Sequence, residues 1–153
     1  MPLSKVPPKH AEQSYRLASA AVTRTTAPGS ETRILIVDQD RQVGVSLSFM
    51  LSARRYEEVR VVRSAKRAVA ITEQFRPEIV FLDLELPDDG GISVARHLAR
   101  NAHNIRPRLV ALTKDADVAR RQEARAAGFE RFLTKPVLHE ELDKILAMGR
   151  TKT

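Results

Sequence analysis

The stretch ILIVDQD, Ile34 to Asp40, runs four apolar residues straight into two aspartates separated by a glutamine. Leucine and β-branched residues without polar alternation describe a strand covered on both faces, as in a parallel sheet. When such a strand ends in an acid, it delivers that acid to the rim of the sheet, where open α/β folds bind ligands. ILIVDQD therefore predicts a parallel α/β architecture with a site at its carboxyl edge. Whether Asp38 or Asp40 belongs to that site, and what Gln39 does between them, is a second question.

Downstream the pattern repeats. Apolar runs appear at RILIVD (33–38), EVRVVR (58–63), EIVFLD (78–83), RLVALT (108–113) and FERFLT (129–134). Between and after them lie segments of helical period at 43–55, 65–75, 91–102, 115–128 and 138–148. Strands alternating with helices of this length predict βαβ crossovers and a mainly parallel sheet with helices on both faces. Ser64 and Asp115 stand where helix N-caps belong, Gly128 where a C-terminal glycine belongs, and Pro77 and Pro107 precede strands. EVRVVR alternates and is expected at a sheet edge. The fold class is a flavodoxin-like doubly wound (βα)5 three-layer α/β sandwich, sheet order 2-1-3-4-5.

A chain of 153 residues, 42% hydrophobic, suits one domain with a proper core. We expect it at 31–149, after a disordered or weakly structured tail at 1–30 and before a short tail at 150–153. The proline-rich, hydroxyl-rich start holds a possible short helix at Ser14 to Val22 and also resembles an organelle transit peptide. Without cysteine there are no disulfides, thiolate metal sites or cysteine nucleophiles, which fits a reducing cytoplasm. No apolar run reaches the roughly 18 residues of a membrane span. The net charge of +7 raises nucleic acid as a partner. Its cations are scattered among acids, however, with Arg54, Arg55, Arg60, Arg63, Lys66 and Arg67 in one region and Arg120, Arg121 and Arg125 in another. The expectation is a solvated basic surface with no specific nucleic acid and no membrane partner. His10, His97, His103 and His139 are too dispersed to form a metal set.

In a parallel sheet the residues that directly follow each strand share one edge. Here those are Asp38, Asp83, Thr113 and Lys135. Two carboxylates, a hydroxyl and an ammonium suit a divalent cation together with a phosphoryl group. Oxygen ligands hold Mg²⁺, lysine pairs with phosphate as a point charge, and a carboxylate can accept the phosphoryl group.

VDQD, FLDLELP, ALTK and FLTKP, in this order and at these separations, resemble the receiver domain of two-component response regulators, over about Thr32 to Met148. The resemblance implies that Asp83 is the phosphoacceptor, with Thr113 and Lys135 binding phosphoryl oxygens. It implies Mg²⁺ (or Mn²⁺) held by Asp38, Asp83 and the Glu85 backbone carbonyl, with Gln39 as a further candidate ligand. Phe132 takes the place of the aromatic switch residue, and the Lys135–Pro136 bond is expected to be cis. The implied donor is a histidine kinase or phosphotransfer protein. Output is expected through protein contact on the Asp115 to Met148 face of a monomer or weak dimer lacking an output domain, rather than by turnover of an external substrate.

At residue 39 the chain departs from that pattern, because the family usually has a second acid there. An amide oxygen brings no charge, and Asp40, displaced by one residue, is expected to face away or to cap the first helix. Weaker Mg²⁺ binding follows, and with it a rival reading as a phosphorylation-impaired protein-binding module. A second rival takes D-x-D at Asp38 and Asp40 as the nucleophile and acid/base pair of a haloacid-dehalogenase-like phosphatase.

Overall fold

The computed structural model describes residues 30–100, 106–115 and 117–149. The expectations for both tails, for the third helix beyond residue 100 and for His10 and His103 fall outside the described residues. Five parallel strands, β1 (Arg33–Val37), β2 (Glu58–Val62), β3 (Ile79–Asp83), β4 (Arg108–Thr113) and β5 (Phe129–Thr134), form one sheet in the order β2-β1-β3-β4-β5. Helices α1 (Arg41–Ala53), α2 (Ala65–Phe75), α3 (Gly90–Arg100) and α4 (Val118–Ala127) connect successive strands, and α5 (His139–Gly149) follows β5. This is the flavodoxin-like doubly wound architecture that the alternation predicts.

The side-chain period of two explains why the central strands are apolar throughout. In β1, Leu35 and Val37 face one side and Ile34 and Ile36 the other. The first side joins Val80, Leu82 and Ala111 to residues of α2, α3 and α4, among them Ala68, Leu98 and Ala124. The second joins Phe81, Val110 and Leu112 to Leu47 and Leu51 of α1 and Leu142 and Ile145 of α5. β2 alternates and lies at an edge, as expected.

Local chemistry sets the helix boundaries. Asp40 caps α1 by accepting from the Gln42 N–H at 2.9 Å, so the helix starts at Arg41, two residues earlier than periodicity placed it. Ser64 caps α2 through the Arg67 N–H. The expected cap of α4 needs correcting: Asp117, not Asp115, accepts from the Arg120 N–H at 2.8 Å. Asp115 is instead drawn back to the strand end, where its N–H donates to Thr113 Oγ1. Gly128 ends α4 at φ 117°, a backbone region that costs glycine least.

Register brings the strand ends level. Val37 pairs with Leu82, Asp83 with Leu112, and Thr113 with Thr134, so Asp38, Asp83, Thr113 and Lys135 emerge along one edge. β5 keeps this alignment although it carries an extra residue, Glu130, opposite the step from Leu109 to Val110. Since β1 and β3 are neighbours, their acids meet where the strand order reverses, which is where open α/β sheets bind ligands.

Candidate functional site

Lys135 sits between the two strand-end acids. Its Nζ lies 2.8 Å from Asp38 Oδ2 and 3.1 Å from Asp83 Oδ1. All three side chains are almost wholly covered, with exposures of 9%, 0% and 2% for Lys135, Asp38 and Asp83. Backbone donors complete the clamp: the Asp40 N–H donates to Asp38 Oδ1 and the Glu85 N–H to Asp83 Oδ1, both at 2.8 Å. Burial pushes the Asp83 carboxyl above the ordinary carboxylate range. The Asp38 charge adds to that rise, against the Glu85 N–H and the Lys135 ammonium. For Lys135 burial works downward, yet the contacts with Asp38 and Asp83 outweigh it and hold the ammonium above the usual lysine value.

The oxygens left over fit a hard cation. Asp38 Oδ2 is buried, and the Lys135 ammonium 2.8 Å away is its charged neighbour. Asp83 is hydrogen-bonded at Oδ1, and among the described residues its Oδ2 has no donor. No group of three or more His, Cys, Asp and Glu able to hold a metal ion occurs among the described residues. A cation here would draw on two carboxylates and otherwise on carbonyl or water oxygens, the donor set Mg²⁺ accepts.

Thr113 and Phe132 are placed less simply. The Thr113 side chain is buried, and its hydroxyl donates 2.6 Å to Glu85 Oε2. Phe132 lies half-buried at the outer side of β5, with the Arg121 and Arg125 guanidinium carbons 5.0 and 5.2 Å from its ring centroid. The α4 arginines are therefore engaged within the chain. Arg120 turns the other way, donating to the Leu84 carbonyl at 2.8 Å and pairing with Glu123 and Asp89. The Lys135–Pro136 bond is cis, as expected. Gln39 is exposed, and Asp40 is occupied as the α1 cap.

Three residues that matter to this geometry escaped the sequence reading. Glu85 was expected to act through its carbonyl, whereas its side chain reaches both Thr113 and Lys135. Arg120 was grouped with a solvated basic face. Gly91, which no sequence pattern marks, is packed against the Asp83 carbonyl, whose oxygen a Cβ there would meet at 2.5 Å. Only the position of Glu85, two residues after a strand-terminal acid, gave any hint.

Comparison with known proteins agrees with this geometry. Residues 34–147 match the family model of the response regulator receiver domain. The chain is 36% identical over 110 residues to the response regulator MprA of Mycolicibacterium vanbaalenii, covering 72% of this chain and 46% of that protein. It is 30% identical over 122 residues to the uncharacterized transcriptional regulatory protein YrkP of Bacillus subtilis, covering 79% and 51% respectively. The chain thus spans about half the length of the curated relatives it matches. Among solved structures, the response regulator receiver from Bermanella marisrubri is 28% identical with a TM-score of 0.67, covering 77% of this chain and 98% of its own. The chemotaxis response regulator CheY4 of Vibrio cholerae, at 23% identity and a TM-score of 0.70, covers 76% of this chain and 97% of its own and shares the fold. Sheet order, strand-end chemistry and a family match over most of the chain lead to one assignment: this chain belongs to the response regulator receiver domain family.

Proposed function

We propose that Asp83 accepts a phosphoryl group from a phosphohistidine and that the chain signals through the resulting change of its surface. The convergence of Lys135 on Asp83 and Asp38 at the switch point of the sheet carries this reading. Asp83 Oδ2 is the attacking oxygen. As the new P–O bond forms, the P–N bond of the donor breaks and its electron pair stays on the imidazole. Asp38 and Asp83, with the Glu85 carbonyl, would hold Mg²⁺, and that cation would supply charge neutralisation for the transferring group. Lys135, whose Nζ lies 3.1 Å from Asp83 Oδ1, meets one phosphoryl oxygen in this reading, and Thr113 supplies a hydroxyl to another once it leaves Glu85. Phe132 is the packing element that follows Thr113. Receivers of this family are not in general turnover enzymes on external substrates, and they work with histidine kinases or phosphotransfer proteins.

The donor docks beside the site. A groove of about 720 Å³ runs from Lys135 and Pro136 along α1 to Val45 and Phe49. Val45 and Phe49 are 55% and 75% exposed, an apolar surface that a partner delivering phosphohistidine to Asp83 would cover. Among the described residues no helix is long and apolar enough to cross a membrane.

Incubation of the chain with acetyl phosphate and Mg²⁺, followed by intact mass measurement, tests the acceptor. Wild type is expected to gain one phosphoryl group and Asp83→Asn none. Equal labelling of the variant moves the acceptor elsewhere, and repeated hydrolysis of donor without labelling would favour the phosphatase reading.

Gln39 favours a second reading, in which the chain binds partners without accepting phosphate. A cation held by two carboxylates lacks the third charge an acid at 39 would bring. Gln39→Asp is expected to tighten Mg²⁺ binding by about tenfold, or about 1.4 kcal/mol, as measured by calorimetric titration. Equal affinities would mean that residue 39 does not limit the site.

A further inference from the structure

Three donors converge on a carboxylate that is not Asp83. The Thr113 hydroxyl donates to Glu85 Oε2 at 2.6 Å, the Lys114 N–H reaches toward Oε1 at 3.4 Å, and Lys135 Nζ stands 3.9 Å from Oε1. These donors come from the ends of β4 and β5, and Glu85 follows β3, so one side chain links three strand ends. Its backbone N–H meanwhile holds Asp83 Oδ1. The Glu85 side chain is 42% exposed, so polar contacts rather than packing keep it here.

A hydroxyl has one proton to donate. While the Thr113 proton serves Glu85, it cannot serve a phosphoryl oxygen. Lys135 has three N–H groups, but its single charge already faces Asp38, Asp83 and Glu85. An incoming anion therefore meets three carboxylates against one ammonium, with a needed donor taken. We propose that the Glu85 carboxylate is an internal occupant of the phosphoryl-binding donors, holding the resting site against anions until a phosphoryl group displaces it. This inference rests on Asp83 being the phosphoacceptor. Glu85 is then a positioning residue that acts through Thr113 and Lys135. Partial exposure lets the displaced side chain turn into water, so the occupancy is reversible.

Beryllofluoride, which mimics a phosphoryl group on a carboxylate without covalent transfer, reads the occupancy directly. Its binding to the full chain is measured with saturating Mg²⁺ for wild type, Glu85→Gln and Glu85→Ala, and for the Thr113→Val counterparts of wild type and Glu85→Ala. Both Glu85 substitutions keep the backbone carbonyl, and Mg²⁺ titration without anion checks that the cation site survives. Glu85→Ala is expected to bind beryllofluoride about tenfold more tightly, about 1.4 kcal/mol. Glu85→Gln, which keeps an acceptor oxygen but loses the charge, should fall between it and wild type. Labelling by acetyl phosphate should show a lower half-saturating concentration with little change in maximal rate. With Thr113→Val the gain should shrink, because the occupied hydroxyl is gone. Labelled wild type with no gain in Glu85→Ala, or an undiminished gain in the Thr113→Val background, overturns this inference alone. Absence of both labelling and beryllofluoride binding in every variant overturns the phosphoacceptor reading and this inference with it.

Discussion

Lys135→Met is expected to destabilise the metal-free chain by about 3 kcal/mol at neutral pH, within the range for breaking a buried ion pair by removing one partner. Methionine matches lysine in length and apolar stem, so cavity formation contributes little. What is lost is the ammonium that stands 2.8 Å from one buried carboxylate and 3.1 Å from another. The two acids then face each other with only backbone N–H donors in support. Acetyl phosphate labelling should fall as well, since the same ammonium meets the incoming phosphoryl group.

The pH dependence follows from the two shifted groups. Burial holds the folded-state pKa of Asp83 above its unfolded value. Stability therefore falls as pH rises from the unfolded value of about 4 through the raised folded one. Removing Lys135 takes away a charge that opposes this rise, so the falling interval widens and the deficit of the variant grows from acid to neutral pH. Lys135 itself titrates higher folded than unfolded. Its stabilisation is complete below about 10.4 and disappears only as pH climbs through the folded value. Urea unfolding in EDTA at acid and neutral pH measures the Asp83 effect, and Lys135→Met combined with Asp83→Asn should recover most of the loss. A deficit that is the same at both pH values, or below about 1 kcal/mol, would show that the acids do not depend on this ammonium.

Sheet order and the strand-end residues were legible because they rest on strong regularities. Buried parallel strands must be apolar on both faces, and residues following such strands share an edge. Asp38, Asp83 and Lys135 could be placed together on that basis. Contacts decided by competition were not legible. Asp115 and Asp117 both occupy plausible cap positions; the Arg120 N–H goes to Asp117, while the Asp115 N–H turns back to Thr113 Oγ1. Glu85 sits in a loop, where local sequence does not say which of several donors from β4 and β5 its carboxylate will meet. Arg120 looked like a surface cation because its partner, the Leu84 carbonyl, lies 36 residues away. These are the long side chains that join strand ends, and their direction is set by the assembled fold.

Gly91→Ala is expected to destabilise the chain by about 2–3 kcal/mol, in the range of overpacking a tight contact, although alanine is the better helix former by about 1 kcal/mol. The two effects oppose each other, and the contact geometry decides the sign. A Cβ at residue 91 would lie 2.5 Å from the Asp83 carbonyl oxygen and 3.1 Å from Leu84 Cα. Both are backbone atoms, and rotating a side chain cannot relieve them. Either α3 moves off the sheet or the end of β3 moves, and that strand end carries the acceptor. The Asp83 carbonyl belongs to the residue clamped by Lys135 and the Glu85 N–H, so its displacement disturbs the same contacts that position Oδ2 for attack. Gly90→Ala is the control. Its Cβ would meet the Cβ atoms of Leu86 and Ala65 at 3.1 and 3.2 Å, contacts that a shift of a few tenths of an ångström relieves, and its φ of −58° suits any residue. That substitution should cost much less and leave labelling intact. Thermal unfolding and acetyl phosphate labelling of the two variants separate packing against the acceptor strand from a general change in helix propensity. If Gly91→Ala folds as stably as Gly90→Ala and labels at the wild-type rate, the close approach of α3 to Asp83 does not position the acceptor.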